Sequence, residues 1–144
     1  MAQFLWNESF SVGDPALDKQ HQQLIEIMNE LHDLLALPTE TREPGKIEHV
    51  FDGLASYVFN HFAYEEKRMA DAGVPFEQLA THRGQHETML KQVRQFQART
   101  LESNGNDLKD LMPYLYGEWL IHHICEEDMQ YRPYVEAGEK STSA

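Results

Sequence analysis

The chain has 144 residues, of which 41% are hydrophobic, and these values predict one globular domain with a core of its own. Its 24 Asp and Glu outnumber its 12 Lys and Arg, and the resulting net charge of −12 argues against binding to nucleic acid or to anionic membranes. The chain has neither an apolar run of ~20 residues that could insert into a membrane nor an export signal, and its single Cys125 allows no internal disulfide, so we expect a cytoplasmic protein.

Four long segments have the hydrophobic period of a helix, and short stretches rich in Pro, Gly and Asn separate them. The first begins at Asp14-Pro15, an N-cap residue followed by proline at the first helical position. Gly73 and Pro75 close the second, and Pro133 is expected to end the fourth or to follow its end. We predict an N-terminal arm at about 1–13 and a polar, disordered tail at 135–144. The four predicted helices between them lie at about 14–36, 45–71, 75–103 and 108–131. Long helices with short connections predict an all-α fold, an antiparallel up-down four-helix bundle.

In the first three helices, polar residues occupy positions where the period calls for an apolar side chain. The i, i+4 pairs His61–Glu65 and His82–His86 each lie on one face of a helix, and His21 fills a gap in the first apolar stripe. A single histidine of this kind is more often a hydrogen-bonded core residue than a metal ligand. Five such replacements would be costly to bury without a partner, so together they predict a metal site in the bundle core.

The types of ligand limit the choice of metal. Imidazoles and carboxylates without thiolates suit iron, zinc, manganese or copper. The candidates are too many for one four-coordinate zinc ion, so they indicate two ions that share bridging carboxylates. The chain lacks both the Glu-x-x-His of ferritin-like di-iron sites and the His-Glu-x-x-His of zinc proteases. A pair of ions held mainly by histidines remains as the interpretation.

The ligands of the fourth helix stay open at this point. Its sequence "WLIHHICEEDMQY" offers His122 or His123, followed by three acids, Glu126, Glu127 and Asp128. Helical spacing slightly favours His123 with Glu127 at i+4, although an acidic triplet is more often a solvated face. Periodicity alone does not choose among them.

Four motifs carry a resemblance to a known family: "VGDPALDKQH" ending at His21, "HFAYEE" from His61, "HRGQH" from His82 and "WLIHHICEED" from Trp119. Over about 6–131 the chain resembles the hemerythrin family, specifically its single-domain bacterial type, the bacteriohemerythrins. In that family the histidine of the fourth helix lies four residues after the Trp of Trp-Leu, and an aspartate follows it at i+5.

The resemblance selects His123 and Asp128 from the fourth helix, and the adjacent His122 is a departure from the family pattern that could compete for the metal. It implies two iron ions (Fe2+/Fe3+) with a bridging oxo or hydroxo group as cofactor. The implied metal ligands are His21, His61, Glu65, His82, His86, His123 and Asp128. Glu65 and Asp128 would bridge the irons. The imidazoles would divide unequally, with three on one iron (His82, His86 and His123) and two on the other, which keeps an open position (His21 and His61).

The implied activity is reversible dioxygen binding, for O2 transport, storage or delivery, and not catalysis. Two ferrous ions would each give one electron, and O2 would bind as hydroperoxide on the five-coordinate iron. The site then needs a dry apolar pocket, for which the candidates are Leu24, Phe62, Trp119 and Ile121. The alternatives are a di-iron peroxidase or oxidase and an O2 or iron sensor module. We expect a monomer whose partner is O2, and a downstream O2-consuming protein is a further candidate partner.

Overall fold

The computed structural model describes residues 5–43, 45–103 and 120–142. Three α-helices come first, and they are α1 (Pro15–Ala36), α2 (Lys46–Asp71) and α3 (Phe76–Ser103). A composite fourth helix follows, whose described part contains a π-helical turn (His123–Glu127), a 3-10 turn (Asp128–Tyr131) and α4 (Arg132–Thr142). Two short 3-10 helices lie in the arm and in the connection after α1, at Glu8–Phe10 and Thr39–Thr41.

The predicted all-α four-helix bundle is confirmed, since the described part of the chain holds three long α-helices, the composite fourth helix and no strand. The first half of the predicted fourth helix, 108–119, lies outside the described residues. None of the described helices combines the length and the apolar content that crossing a bilayer requires.

Side-chain contacts show that neighbouring helices run antiparallel. α2 packs against both α1 and α3. Gln20 contacts His61 and Gln23 contacts Tyr57, so residue numbers rise along α1 as they fall along α2. The same reversal relates α2 to α3, through the pairs Glu65–His82 and Asp52–Gln97. An antiparallel arrangement brings the start of α1, the end of α2 and the start of α3 to one level of the bundle.

Asp14 determines where α1 begins. Its carboxylate accepts hydrogen bonds from the backbone N–H groups of Ala16 and Leu17, and Pro15 takes the first helical position. Oδ2 of Asp14 also accepts a 2.7 Å hydrogen bond from Nε of Arg68, on α2. The start of α1 is thereby fixed to the end of α2.

Two apolar clusters fill the core, and a layer of polar side chains separates them. On α1, the fully buried His21 lies between Leu17, which belongs to the smaller cluster, and Leu24, which belongs to the larger one. α2 and α3 repeat this alternation around Glu65 and His82. The polar residues that interrupt the helical period therefore meet at one level.

The chain beyond the 3-10 turn differs from the predicted polar tail. α4 runs from Arg132 to Thr142, and Pro133 lies in its first turn, where the missing N–H breaks no helical hydrogen bond. Val135 is fully buried in the smaller apolar cluster, and Nη1 of Arg132 donates to the carbonyl of Ser11. The prediction was wrong because a proline is equally compatible with the end of one helix and the first turn of the next.

Candidate metal centre

Glu65 is fully buried at the centre of the polar layer. Its Oε1 lies 3.0 Å from Nε2 of His82 and 2.9 Å from Nε2 of His86. Its Oε2 faces the other way, 3.3 Å from Nε2 of His21 and 3.4 Å from Nε2 of His61. The two oxygens of one carboxylate thus face two different sets of imidazoles.

Asp128 divides its oxygens in the same way. Its Oδ1 lies 3.0 Å from Nε2 of both His82 and His123, whereas Oδ2 lies 3.2 Å from Nε2 of His21. The Nε2 atoms of His86 and His123 are only 3.2 Å apart. Side chains from α1, α2, α3 and the composite fourth helix therefore converge on one small volume.

These atoms form two adjacent groups, within each of which the potential ligand atoms lie within 4.8 Å of one another. We call the first the three-imidazole position, and its members are His82, His86, His123, Glu65 and Asp128. We call the second the two-imidazole position, and its members are His21, His61 and Glu65. All seven side chains that the resemblance named are buried and brought together here, and their role as ligands remains a prediction.

The π-helical turn explains how one helix presents both His123 and Asp128. The backbone N–H of Asp128 donates to the carbonyl of His123, an i+5 to i bond in place of the i+4 to i bond of an α-helix. Residues five apart therefore lie one turn apart and point to the same side. His122 and Glu126 are exposed. The α-helical spacing that favoured Glu127 as the inward acid was wrong because this turn is not α-helical.

Glu127 instead lies outside the layer and contacts the other nitrogen of His123. Similar outer contacts reach three of the imidazoles through Nδ1, and they are His123–Glu127 at 2.9 Å, His86–Glu66 at 3.0 Å and His61–Gln20 at 2.7 Å. Neither Glu66 nor Gln20 was predicted from the sequence in this role. The signal was available, because each lies directly beside a predicted ligand in the chain, but neighbours of ligands are usually ordinary surface residues.

The buried carboxylates and imidazoles of the layer shift one another's pKa when no cation is bound. Burial opposes a charge on His21, but the carboxylates of Asp128 and Glu65 outweigh it and raise the pKa of His21 to about 9. The same balance raises the pKa of His82 to about 9. Burial would raise the pKa of Glu65, yet the neighbouring imidazoles of His123 and His21 hold it well below its usual range. Two buried carboxylates therefore require compensating positive charge.

Several buried polar atoms of the layer lack a hydrogen-bond partner in the described part of the chain, and metal ions would satisfy them better than protons would. Nε2 of His61 and both oxygens of Asp128 are buried and have no partner in hydrogen-bond geometry among the described residues. The facing Nε2 atoms of His86 and His123 can share at most one proton between them, whereas both lone pairs can point at one cation. Imidazole and carboxylate donors suit iron and similar transition metals. The residues present therefore fit two adjacent cations.

The fold and the site define a class of protein, a four-helix bundle with a buried histidine and carboxylate centre for cations. The family model described as "Hemerythrin HHE cation binding domain" matches residues 12–135. The chain belongs to the hemerythrin family, and the predicted family is confirmed.

Relatives match over nearly the whole chain. A bacteriohemerythrin of Stenotrophomonas maltophilia (strain R551-3) is 31% identical over 137 residues, which are 95% of this chain and 84% of the relative. A hemerythrin of Sipunculus nudus is 30% identical over 129 residues, which are 90% of this chain and 91% of the relative. A crystal structure of wild-type hemerythrin superimposes with a TM-score of 0.77 at 25% identity, covering 94% of this chain and 99% of that one.

The predicted dioxygen pocket is described only in part. Leu24 and Phe62 are buried in the larger apolar cluster, and Ile121 packs against that cluster while half-buried. Trp119 lies outside the described residues. Leu120, which was not among the predicted pocket residues, is only 2% exposed in the same cluster. Leu120 is therefore a better candidate for an apolar wall than its neighbour Ile121.

Proposed function

We propose that this chain binds dioxygen reversibly at a non-haem di-iron centre and that it carries, stores or delivers O2 without transforming it. One observation carries the proposal. In both Glu65 and Asp128, one carboxylate oxygen faces His82 of the three-imidazole position and the other faces His21 of the two-imidazole position. Carboxylates that face two groups of imidazoles in this way are suited to bridging two ions. Membership of the hemerythrin family supports iron as the metal.

The proposed ligands are the seven side chains of the two positions. Two iron ions bound there would supply the two electrons that O2 takes up. Five neutral imidazoles and two carboxylates leave a small net charge on two divalent ions, which lowers the cost of burying them. The two-imidazole position has fewer side chains to hold a cation, so a cation there would have more room for a small outside ligand such as O2.

The apolar side chains beside the centre keep water away from it. The ring of Phe62 stacks on the imidazole of His86, with centroids 3.7 Å apart and planes inclined by 4°. Leu24 and Leu120 belong to the same buried cluster as Phe62. Excluding water in this way would slow the release of bound O2 as a reduced product. Reversible binding requires that O2 leave unreduced.

Tyr131 holds a proton next to the centre. It is fully buried, and its hydroxyl donates a 3.0 Å hydrogen bond to Oε2 of Glu65. Burial raises the pKa of Tyr131 well above its usual value, and the negative charge of Glu65 adds to this effect. The phenol therefore stays protonated at neutral pH and steadies the carboxylate.

The proposal is tested by reconstituting the metal-free protein with Fe(II) without air, and then by cycling it between air and vacuum. We expect two irons per chain and a visible absorption band that appears in air and disappears under vacuum. A Glu65→Gln variant is the matched control, since it keeps the shape of the side chain but should lose the band. A permanent ferric spectrum after the first exposure would favour the oxidase alternative, and a chain that takes up no iron would overturn the proposal.

A further inference from the structure

The two cation positions differ in the groups that surround their imidazoles. At the three-imidazole position, Nδ1 of His86 faces a carboxylate oxygen of Glu66 at 3.0 Å, and Nδ1 of His123 faces one of Glu127 at 2.9 Å. At the two-imidazole position, Nδ1 of His61 faces the neutral amide oxygen of Gln20 at 2.7 Å.

The other imidazole of the two-imidazole position has no such support. Nδ1 of His21 is buried and lacks a hydrogen-bond partner among the described residues. Outer carboxylates thus occur on one side of the centre, and a neutral amide or no partner on the other. The difference lies in residues of this chain and does not depend on which metal binds.

An outer carboxylate changes what an imidazole offers to a metal. A charged acceptor on Nδ1–H draws that proton toward itself and makes the opposite nitrogen, Nε2, a stronger donor. It also locks the ring in the tautomer and orientation that ligation needs. A neutral amide gives the same orientation with a smaller electronic effect. His86 and His123 should therefore bind a cation more strongly than His61 and His21.

Both outer carboxylates are held in place. Nε of Arg83 donates a 3.0 Å hydrogen bond to Oε1 of Glu66, so that Oε2 is left to face His86. Glu127 lies four residues after His123 in the chain and reaches back to it within the π-helical turn. Each carboxylate is 22% or less exposed, so solvent weakens its contact only in part.

Tyr131 should weaken cation binding at the two-imidazole position, which again favours the three-imidazole position. Its hydroxyl donates to Oε2 of Glu65, the oxygen that faces His21 and His61. That hydrogen bond competes for the lone pairs that a cation at the two-imidazole position would use. All the outer contacts therefore favour the three-imidazole position.

We propose that Glu66 and Glu127 are positioning residues that make the three-imidazole position the tighter of the two, so that the chain takes up its cations in a fixed order. The first cation enters among His82, His86 and His123, and the second completes the two-imidazole position. This inference rests on the proposed two-cation site, but it requires no dioxygen chemistry.

The test is a titration of the metal-free, full-length protein with Co(II), followed by visible absorption and by proton NMR. We expect two resolved binding steps. The first equivalent should produce strongly contact-shifted N–H resonances of His86 and His123, while the N–H of His61 should acquire a contact shift of that size only in the second step. Glu66→Ala and Glu127→Ala should each weaken the first step by about 10- to 100-fold, and each should remove or move one of those N–H resonances.

Matched variants separate an effect on the imidazole from an effect of net charge. Glu87→Gln and Glu126→Gln remove the same charge from exposed positions directly beside His86 and Glu127, and they should leave both steps unchanged. Glu66→Gln keeps an oxygen for Nδ1–H and should restore part of the lost affinity. Gln20→Ala should weaken only the second step.

The possible failures are distinguishable. If fewer than two Co(II) ions bind to the wild type, the two-cation site itself is wrong. If two ions bind in one unresolved step, or if the first ion gives His61 a contact-shifted N–H resonance, the loading order is overturned while the site survives. If Glu66→Ala and Glu127→Ala alter only the second step, or alter neither, the two glutamates do not have the proposed role.

Discussion

Oδ1 of Asp128 lies 3.0 Å from Nε2 of His123, although Asp128 comes five positions later in the chain. In an α-helix the residue at i+5 would point well away from residue i, and only the π-helical turn brings this pair together. π-helical turns are rare and often occur at functional sites, so this turn is itself a feature of the candidate centre.

The acidic triplet after this histidine provides a direct test of which acid matters. We expect Asp128→Asn to lose iron from the reconstituted protein, because Asp128 is fully buried and its neutral replacement cannot compensate two cations. Glu126→Gln should keep the full iron content, since Glu126 is exposed. Iron per chain is measured by elemental analysis, with circular dichroism to verify folding. Equal iron contents in the two variants would contradict the assignment.

The two adjacent histidines of the fourth helix give a second matched pair. His123 is 2% exposed and its Nε2 faces the layer, whereas His122 is exposed. We therefore expect His123→Gln to lower the affinity for the metal strongly and His122→Gln to leave it unchanged. Competition with a coloured chelator measures both affinities. Loss of metal from the His122 variant would mean that the extra histidine is a ligand.

The sequence was sufficient to predict the bundle, but it was not sufficient to predict the geometry of the fourth helix. Regular α-helical period and clear breakers predicted α1, α2 and α3 closely, because Asp14-Pro15 and Gly73 act locally on the backbone. The π-helical turn has no such local signature, so spacing pointed to Glu127 where the structure buries Asp128. Only the family resemblance had indicated Asp128. Partners of the proposed ligands, such as Glu66, depend on tertiary contacts that periodicity does not contain.

Replacement of Phe62 tests the apolar wall. Phe62 is 3% exposed and stacks on His86, so Phe62→Ala should create a cavity and cost about 3–5 kcal/mol of unfolding free energy. In the iron-loaded protein it should also admit water and shorten the lifetime of the oxygenated form. Phe62→Leu is the control, since it keeps most of the volume. Urea denaturation and the decay of the visible band measure the two effects. An unchanged decay in the Ala variant would remove Phe62 from the pocket.

The stability of the metal-free protein should depend on pH in a direction set by the buried histidines. Their ordinary pKa is 6.5, and the carboxylates raise the pKa of His21 and His82 to about 9 in the fold, against the effect of burial. A histidine whose pKa is higher in the folded state stabilises the fold fully at pH values below 6.5. This contribution is lost as the pH rises through 9. We therefore expect the free energy of unfolding to fall by at least about 2 kcal/mol between pH 6.5 and 9.

Iron loading should abolish this dependence, because a cation on Nε2 displaces the proton that titrates. Urea denaturation at several pH values, with and without metal, measures both slopes. In the metal-free protein, His21→Gln should flatten the slope, while His49→Gln, at an exposed position, should leave it as it is. His61 does not oppose this loss of stability toward pH 9. Burial lowers the pKa of His61, so its own contribution to stability changes with pH mainly in the range below 6.5. A metal-free protein that gains stability toward pH 9 would show that protons do not compensate Glu65 and Asp128, and that the layer is held together in some other way.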